Sequence, residues 1–206
     1  MGGMRKRVNP YDINTLNVFV RTESECKDCP FVYKRRVWGE GNYVGKLIIC
    51  GEAPGADEDK KGRPFVGRSG KALDNMLDKV GIDRRFAWVT NIISCRPPEN
   101  NFNDPQSVMA RAKCYTGLEQ ELSFLSNLNN QNGFKVIATL GLNATRSFGI
   151  SGSMSEIRGK EYECRGYTVV PTYHPSYIIR SHSQEVTDKW ESDWNTIKNI
   201  VLLKTV

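Results

Sequence analysis

Two stretches of the chain bring together side chains that can do chemistry on a frame that holds them still. The first is Gly51-Glu52-Ala53-Pro54-Gly55-Ala56-Asp57-Glu58-Asp59, continuing through Gly62-Arg63-Pro64-Phe65-Val66-Gly67 to Ser69 and Gly70. Pro54 fixes a backbone angle and the glycines permit close approaches that other residues resist, so the carboxylates of Glu52 and Glu58 have little freedom. Carboxylates held in this way can position water or face a developing cation. The second stretch is Thr172-Tyr173-His174-Pro175-Ser176-Tyr177-Ile178-Ile179-Arg180, where His174, one of two histidines, precedes a proline-constrained turn. Taken alone, a structural histidine capping that turn is the plainer account. Asn91 is the polar exception in Phe86-Ala87-Trp88-Val89-Thr90-Asn91-Ile92-Ile93. It is either a structural amide with satisfied partners or an amide reserved for a ligand.

The six cysteines are Cys26, Cys29, Cys50, Cys95, Cys114 and Cys164. Reducing compartments keep thiols free, so a disulfide framework is not expected. Cys26 and Cys29 form a C-x-x-C pair beside Pro30, a common way to present two thiolates to one metal centre. Cys50 ends an apolar run and Cys164 lies in a strand-like region, so both are expected to be buried as small hydrophobes. Cys95, directly before Arg96-Pro97-Pro98, and Cys114 remain to complete a four-thiolate site. Zinc and an iron–sulfur cluster both suit four thiolates.

Alternating strands and helices must position these groups. Residues 46–50 read as a buried strand leading into the first loop, and Leu73, Met76, Leu77 and Val80 recur at helical spacing after it. Ser69 is the expected cap of that helix and Gly81 its stop. Residues 86–93 and 135–141 are further buried strands, and residues 143–148 a short helix. From Pro105 a helix is expected, with Val108, Ala112, Tyr115, Leu118, Leu122 and Leu125 on its apolar stripe and Cys114 off it. Residues 157–170 suggest an extended pair around Gly159 and Gly166, and residues 169–173 lead into His174. A last helix carries Val186, Trp190, Trp194, Ile197 and Val201. Strand, site loop and helix in this order describe an α/β domain with its chemistry at the carboxyl ends of strands.

With 206 residues and 39% hydrophobic content the chain can bury a substantial core as one domain spanning 1–206. Residues 1–25 form an N-terminal extension with little pattern beyond Val18-Phe19-Val20, and residues 26–45 form a cysteine loop carrying Lys34-Arg35-Arg36. The net charge of +6 is compatible with a polyanionic partner or with solubility alone. No run is long and apolar enough for a membrane span and the N-terminus lacks a secretory core, so a soluble, intracellular protein is expected, in the cytoplasm, the nucleoid or a host cytoplasm.

In their order along the chain, these motifs closely resemble the family 4, iron-sulfur uracil-DNA glycosylases of the uracil-DNA glycosylase superfamily. The resemblance is carried by Cys26-x-x-Cys29-Pro30, Gly39-Glu40-Gly41-Asn42, Gly51-Glu52-Ala53-Pro54-Gly55, Glu58-Asp59, Gly62-Arg63-Pro64-Phe65-Val66-Gly67, Thr90-Asn91-Ile92, Cys95-Arg96-Pro97-Pro98, Arg158-Gly159 and Pro171-Thr172-Tyr173-His174-Pro175-Ser176. It runs from about Cys26 to the final helix. The chain departs from the family's pattern in two places: the interval from Cys95 to Cys114 is longer, and Ala56 stands where an acidic residue is frequent.

The resemblance implies a three-layer α/β/α sandwich with a mainly parallel central sheet. It implies a structural 4Fe-4S cluster on Cys26, Cys29, Cys95 and Cys114 and no catalytic metal. The implied activity is hydrolysis of the N-glycosidic bond of deoxyuridine in single- or double-stranded DNA, after the base is flipped out. In that scheme Asn91 reads the uracil edge, Phe65 stacks on the base, and the backbone about Glu52 and Ala53 lines its other polar edge. His174 donates to the leaving uracil, and Glu52 or Glu58 handles the water. Ser69, Ser176 and Arg180 contact the DNA, and Ile178 is a wedge or ordinary loop packing. No lysine is placed as a Schiff-base nucleophile, so base removal without lyase activity, by a monomer, is expected. The competing reading is a catalytically silent protein that binds uracil or DNA as a replication accessory.

Overall fold

Short β-branched runs form the strands, and their alternating side chains explain the layers. The computed structural model describes residues 26–42, 45–127 and 135–203. The N-terminal extension lies outside the described residues. Strands β1 (Glu40–Gly41), β2 (Leu47–Gly51), β3 (Ala87–Asn91), β4 (Val136–Leu140), β5 (Tyr162–Cys164) and β6 (Tyr167–Thr172) form one sheet in the order β1-β3-β2-β4-β6-β5. The four inner strands are parallel, and β1 and β5 pair antiparallel at the two edges. Every residue of β2, β3 and β4 is buried, as expected of parallel strands covered on both faces.

The helices are α1 (Ala56–Lys61), α2 (Arg68–Val80), α3 (Pro105–Asn127), α4 (Leu142–Ser147), α5 (Met154–Ile157), α6 (Pro175–Ser181) and α7 (Gln184–Leu203). Leu47, Ile49, Val89, Ala138 and Val170 point to one face, where Leu73 and Leu77 of α2 and Trp190, Trp194 and Ile197 of α7 cover them. Ile48, Cys50, Trp88, Ile137 and Val169 point to the other, under Leu118, Leu122 and Leu125 of α3 and Ala144 of α4. The result is the α/β/α sandwich expected from the sequence.

Several local expectations need correction. The acidic stretch after Gly55 is not all loop, because Ala56–Lys61 is a helix with Asp57, Glu58 and Asp59 in its first turn, where the helix dipole favours them. Helix α2 starts one residue before Ser69: its N-cap is Gly67, although it does stop at Gly81. On α3 the buried stripe is Ser107, Ala110, Gly117, Leu118, Glu121, Leu122 and Leu125, while Val108 and Ala112 face solvent. Cys114 therefore lies on the packed face, against the core, rather than off it. The small residues Ala110 and Gly117 let α3 approach the cysteine loop, and the polar Glu121 is accommodated by the indole N–H of Trp88 at 2.5 Å and the Thr90 hydroxyl at 3.3 Å.

Candidate active site

The chain runs from β2 to β3 on one side and then crosses back over β2 to β4 and β6, which makes a switch point beside the end of β2. In open parallel sheets a crevice forms there, at the carboxyl ends of the strands. Gly51 ends β2 opposite Asn91, which ends β3. His174 follows the end of β6. One cleft of about 370 Å³ is lined by Glu52, Ala53, Glu58, Phe65, Asn91 and His174, with Ser69, Ser176 and Arg180 at the same cleft. Eight of those nine were singled out by side chain in the sequence, and Ala53 for its backbone. Ile178 is not among the lining residues: it is half-buried and packs against the α2–α7 core.

The ring of Phe65 lies 6.1 Å from that of His174, tilted by 39°. Its backbone sits at φ 51°, an unusual conformation for a bulky residue. Arg84 holds it there by donating to the carbonyls of Phe65 at 3.1 Å and Pro64 at 3.0 Å while pairing with Asp74 at 2.6 Å. Gly70 leaves room for the same carbonyl, because a Cβ on it would fall 1.9 Å from the Phe65 oxygen. A Cβ on Gly51 would lie 2.5 Å from both Asn91 Oδ1 and Phe65 Cζ, so only glycine lets amide and ring meet across β2.

The two glutamates have different surroundings. Glu58 Oε1 accepts the backbone N–H groups of Val66 at 2.9 Å and Gly67 at 2.7 Å, and Oε2 accepts that of Gly55 at 3.1 Å. Its carboxylate thus ties the start of α1 to the start of α2. Burial pushes the Glu52 carboxyl above its ordinary range, opposed by hydrogen bonds from the side chain and backbone of Asn143 and by the charge of Arg180. Glu52 is the carboxylate whose basicity the cleft raises.

His174 caps α6: its Nδ1 accepts the Ser176 backbone N–H at 3.1 Å and lies 2.8 Å from the Ser176 hydroxyl. Burial, helped by the Arg180 charge, lowers its pKa to about 4. The ring is neutral at pH 7, and with Nδ1 accepting, its proton is on Nε2.

Cys26, Cys29, Cys95 and Cys114 line one small apolar cavity with Phe31 and Trp38. The Cys95 thiol is pushed up to about 12, first by burial and then by the nearby Cys114. Pairing of Arg36 with Cys95 and a 2.7 Å hydrogen bond from Val37 N–H to the Ser94 carbonyl tie the cysteine loop to the segment after β3. Among the described residues no set of three or more His, Cys, Asp or Glu side chains is closed around a metal-sized point. Cys50 is fully buried, as expected. Cys164 is only half-buried, at the edge strand β5, and its thiol donates to the Phe148 carbonyl at 2.9 Å.

Residues 38–198 match the sequence profile of the uracil DNA glycosylase superfamily. The chain belongs to this superfamily, in its type-4 branch. It is 36% identical over 168 residues to the type-4 uracil-DNA glycosylase of Thermotoga maritima, covering 79% of this chain and 82% of that one. With the type-4 uracil-DNA glycosylase of Archaeoglobus fulgidus it shares 32% identity over 197 residues, covering 90% and 92%. The type-4 uracil-DNA glycosylase of Sulfurisphaera tokodaii is 32% identical over 189 residues. The superfamily match contains every cleft-lining residue named above, and Cys26 and Cys29 lie before it.

Arg84 and Asn143 escaped the sequence reading, and Gly70 was named there only as the end of the first stretch, without its contact to Phe65. Each supports a side chain that faces the cleft, and none carries a motif of its own. No helix among the described residues is long and apolar enough to cross a membrane.

Proposed function

We propose that the protein removes uracil from DNA by hydrolysing the bond between uracil N1 and the deoxyribose C1′, leaving an abasic site and an intact strand. The observation that carries this reading is the convergence of Asn91, Phe65, Glu52 and a neutral His174 on one cleft at the sheet's switch point. The glycosidic bond of a stacked base is out of reach, so the nucleotide must be flipped or supplied on a single strand. Phe65 then stacks on the base and the Asn91 amide faces its N3–H and O4. Cytosine presents the reverse donor and acceptor pattern, and a mismatched buried amide is costly.

When the C1′–N1 bond breaks, its electron pair goes to the uracil ring and positive character develops on the sugar. His174 Nε2–H donates to uracil O2 and stabilises the anion, and a neutral donor does so without transferring its proton. Water forms the new bond to C1′ and gives its proton to Glu52, whose raised pKa suits it to accept. Glu58 serves as a frame, since its oxygens already accept three backbone N–H groups. Ser69, Ser176 and Arg180 are placed to meet phosphates beside the flipped nucleotide.

Cys26, Cys29, Cys95 and Cys114 would hold a 4Fe-4S cluster. The fit is supported by four thiols lining one apolar cavity, with burial and one another raising the cost of uncompensated thiolates there. A bound cluster would supply a covalent tie between the cysteine loop, the segment after β3 and α3, and the hydrolysis itself moves no electrons.

The test is incubation with a uracil-containing oligonucleotide followed by alkali, beside a His174→Ala variant. Strand breaks only after alkali, lost by a factor of about 10²–10³ in the variant, are expected. Breaks without alkali would overturn the absence of lyase chemistry, and no excised uracil would overturn the enzyme.

A further inference from the structure

Behind His174, on the face of the sheet covered by α7, lies a buried polar group that does not line the cleft. Asp193 of α7 is 1% exposed. Its Oδ1 pairs with Arg158 Nη2 at 2.6 Å, and its Oδ2 accepts from Arg158 Nε at 3.0 Å and from the Thr172 hydroxyl at 2.7 Å. The Arg158 guanidinium also lies 5.4 Å from the centre of the Tyr173 ring, which in turn packs 5.0 Å from the Tyr177 ring of α6. The Gly159 N–H donates to the Pro171 carbonyl at 2.8 Å and the Gly141 N–H to that of Thr172 at 2.9 Å. Side chain or backbone is thus held at each of residues 171–173, directly before His174.

We infer that Arg158, Asp193 and Thr172 are positioning residues that set the place and orientation of the His174 ring. They act through the end of β6 and the Tyr173–Tyr177 stack. The inference rests on the reading of His174 as the donor to the leaving uracil. Stability alone is a poor account of the group. A buried ion pair is often no better for stability than well-packed apolar side chains, because desolvation offsets the attraction. Burial here pushes the Asp193 carboxyl up to about 6 in spite of both partners. What the pair supplies is direction: a guanidinium fork fixes the carboxylate plane, and that plane fixes the Thr172 hydroxyl. A donor displaced by a fraction of an ångström loses much of its effect on the transition state.

The test uses Thr172→Val, which removes the hydroxyl at nearly constant volume and leaves the Arg158–Asp193 pair in place. Steady-state excision is measured on a single-stranded uracil oligonucleotide, well below the thermal midpoint of each protein. The expected result is a kcat lower by about tenfold with KM within about twofold, and recovery of kcat in Thr172→Ser, which restores the hydroxyl. An unchanged kcat, a change in KM alone, or a loss that serine does not repair would overturn the inference. Should Thr172→Val fail to fold, Arg158→Lys carries the same test: it keeps the charge, loses the fork, and is expected to show the same kcat-only loss. A wild-type protein that excises no uracil would remove the functional reading itself, an outcome distinct from an active wild type whose variants are equally fast.

Discussion

Glu58 accepts the Gly67 N–H at 2.7 Å across the mouth of the first loop, joining the first turn of α1 to the residue that caps α2. With the N–H groups of Gly55 and Val66 it makes three charge-assisted hydrogen bonds that close residues 55–67 around one carboxylate. Three such donors left without an acceptor are costly, each bond being worth about 1.5–3 kcal/mol. Two of the three donors are only part-buried and water can reach them once the side chain is gone, so Glu58→Ala is expected to lower stability by about 3 kcal/mol and the thermal midpoint by roughly 6–12 °C. Denaturant unfolding checks this, and a variant as stable as the wild type would leave Glu58 free for another role.

Glu52→Gln is expected to do the opposite. Burial disfavours the Glu52 carboxylate, so replacing it by a neutral amide of the same shape removes a desolvation cost and leaves stability unchanged or raised. Excision is expected to slow by about 10²–10⁴ because the water loses its proposed base, Glu52. A paired comparison of melting and single-turnover rate separates the two glutamates: one variant melts early and the other reacts slowly.

The pH dependence follows from His174. Its folded-state pKa of about 4 lies below the ordinary 6.5, so between those values the unfolded chain binds a proton that the folded chain does not. Its contribution to stability is complete above pH 6.5 and is lost as pH falls toward 4. For activity, the neutral donor persists through the range where an ordinary histidine would titrate. The acid limb of the excision rate is expected from the Glu52 carboxyl, which burial raises above its ordinary range, and is expected to be lost in Glu52→Gln. A fall in rate with an apparent pKa near 6.5 that persists in Glu52→Gln would contradict the neutral imidazole.

The cysteines divide by position. Alanine at Cys26, Cys29, Cys95 or Cys114 is expected to abolish brown colour and iron content in anaerobically purified protein and to destabilise the cysteine loop, whereas Cys50→Ala and Cys164→Ala retain the iron. Iron retained at full stoichiometry in Cys114→Ala would exclude that thiol as a ligand.

The strands were legible because apolar runs between glycines and prolines admit few other readings, and the cleft was legible because Glu52, Asn91 and His174 lie at or just after strand ends and Phe65 lies in the glycine- and proline-rich stretch that follows one. The helical details were less so. Ala56–Lys61 is too short and too acidic for an apolar period to reveal it, and the α3 stripe was misjudged because Ser107, Ala110, Gly117 and Glu121 are buried without being large hydrophobes. The partners of the supporting arginines were the hardest to see, even for Arg158, which stands in a motif. Arg84 meets Phe65 from 19 positions away, and Arg158 meets Asp193 from 35. Asp193 did carry one signal, a carboxylate between Trp190 and Trp194 on the buried stripe of α7. A charge on such a stripe needs a partner.

Phe65 supplies the last prediction. A bulky residue at φ 51° persists only where its surroundings over-determine it, at a cost of about 1–3 kcal/mol. Here the surroundings are the Arg84 fork and the missing side chain of Gly70. The atom that a Cβ at position 70 would meet is the Phe65 carbonyl oxygen, at 1.9 Å. That atom is backbone, and it cannot swing aside as a flexible side chain would. Gly70→Ala must therefore push the Phe65 peptide and tilt the ring proposed to stack on the base. Arg84→Met releases the same peptide from the other side by removing its donors. Both variants are expected to reduce kcat/KM for uracil excision by about tenfold or more, and to combine less than additively because they act on one peptide. Additive losses in the double variant would show that the two contacts act independently of Phe65.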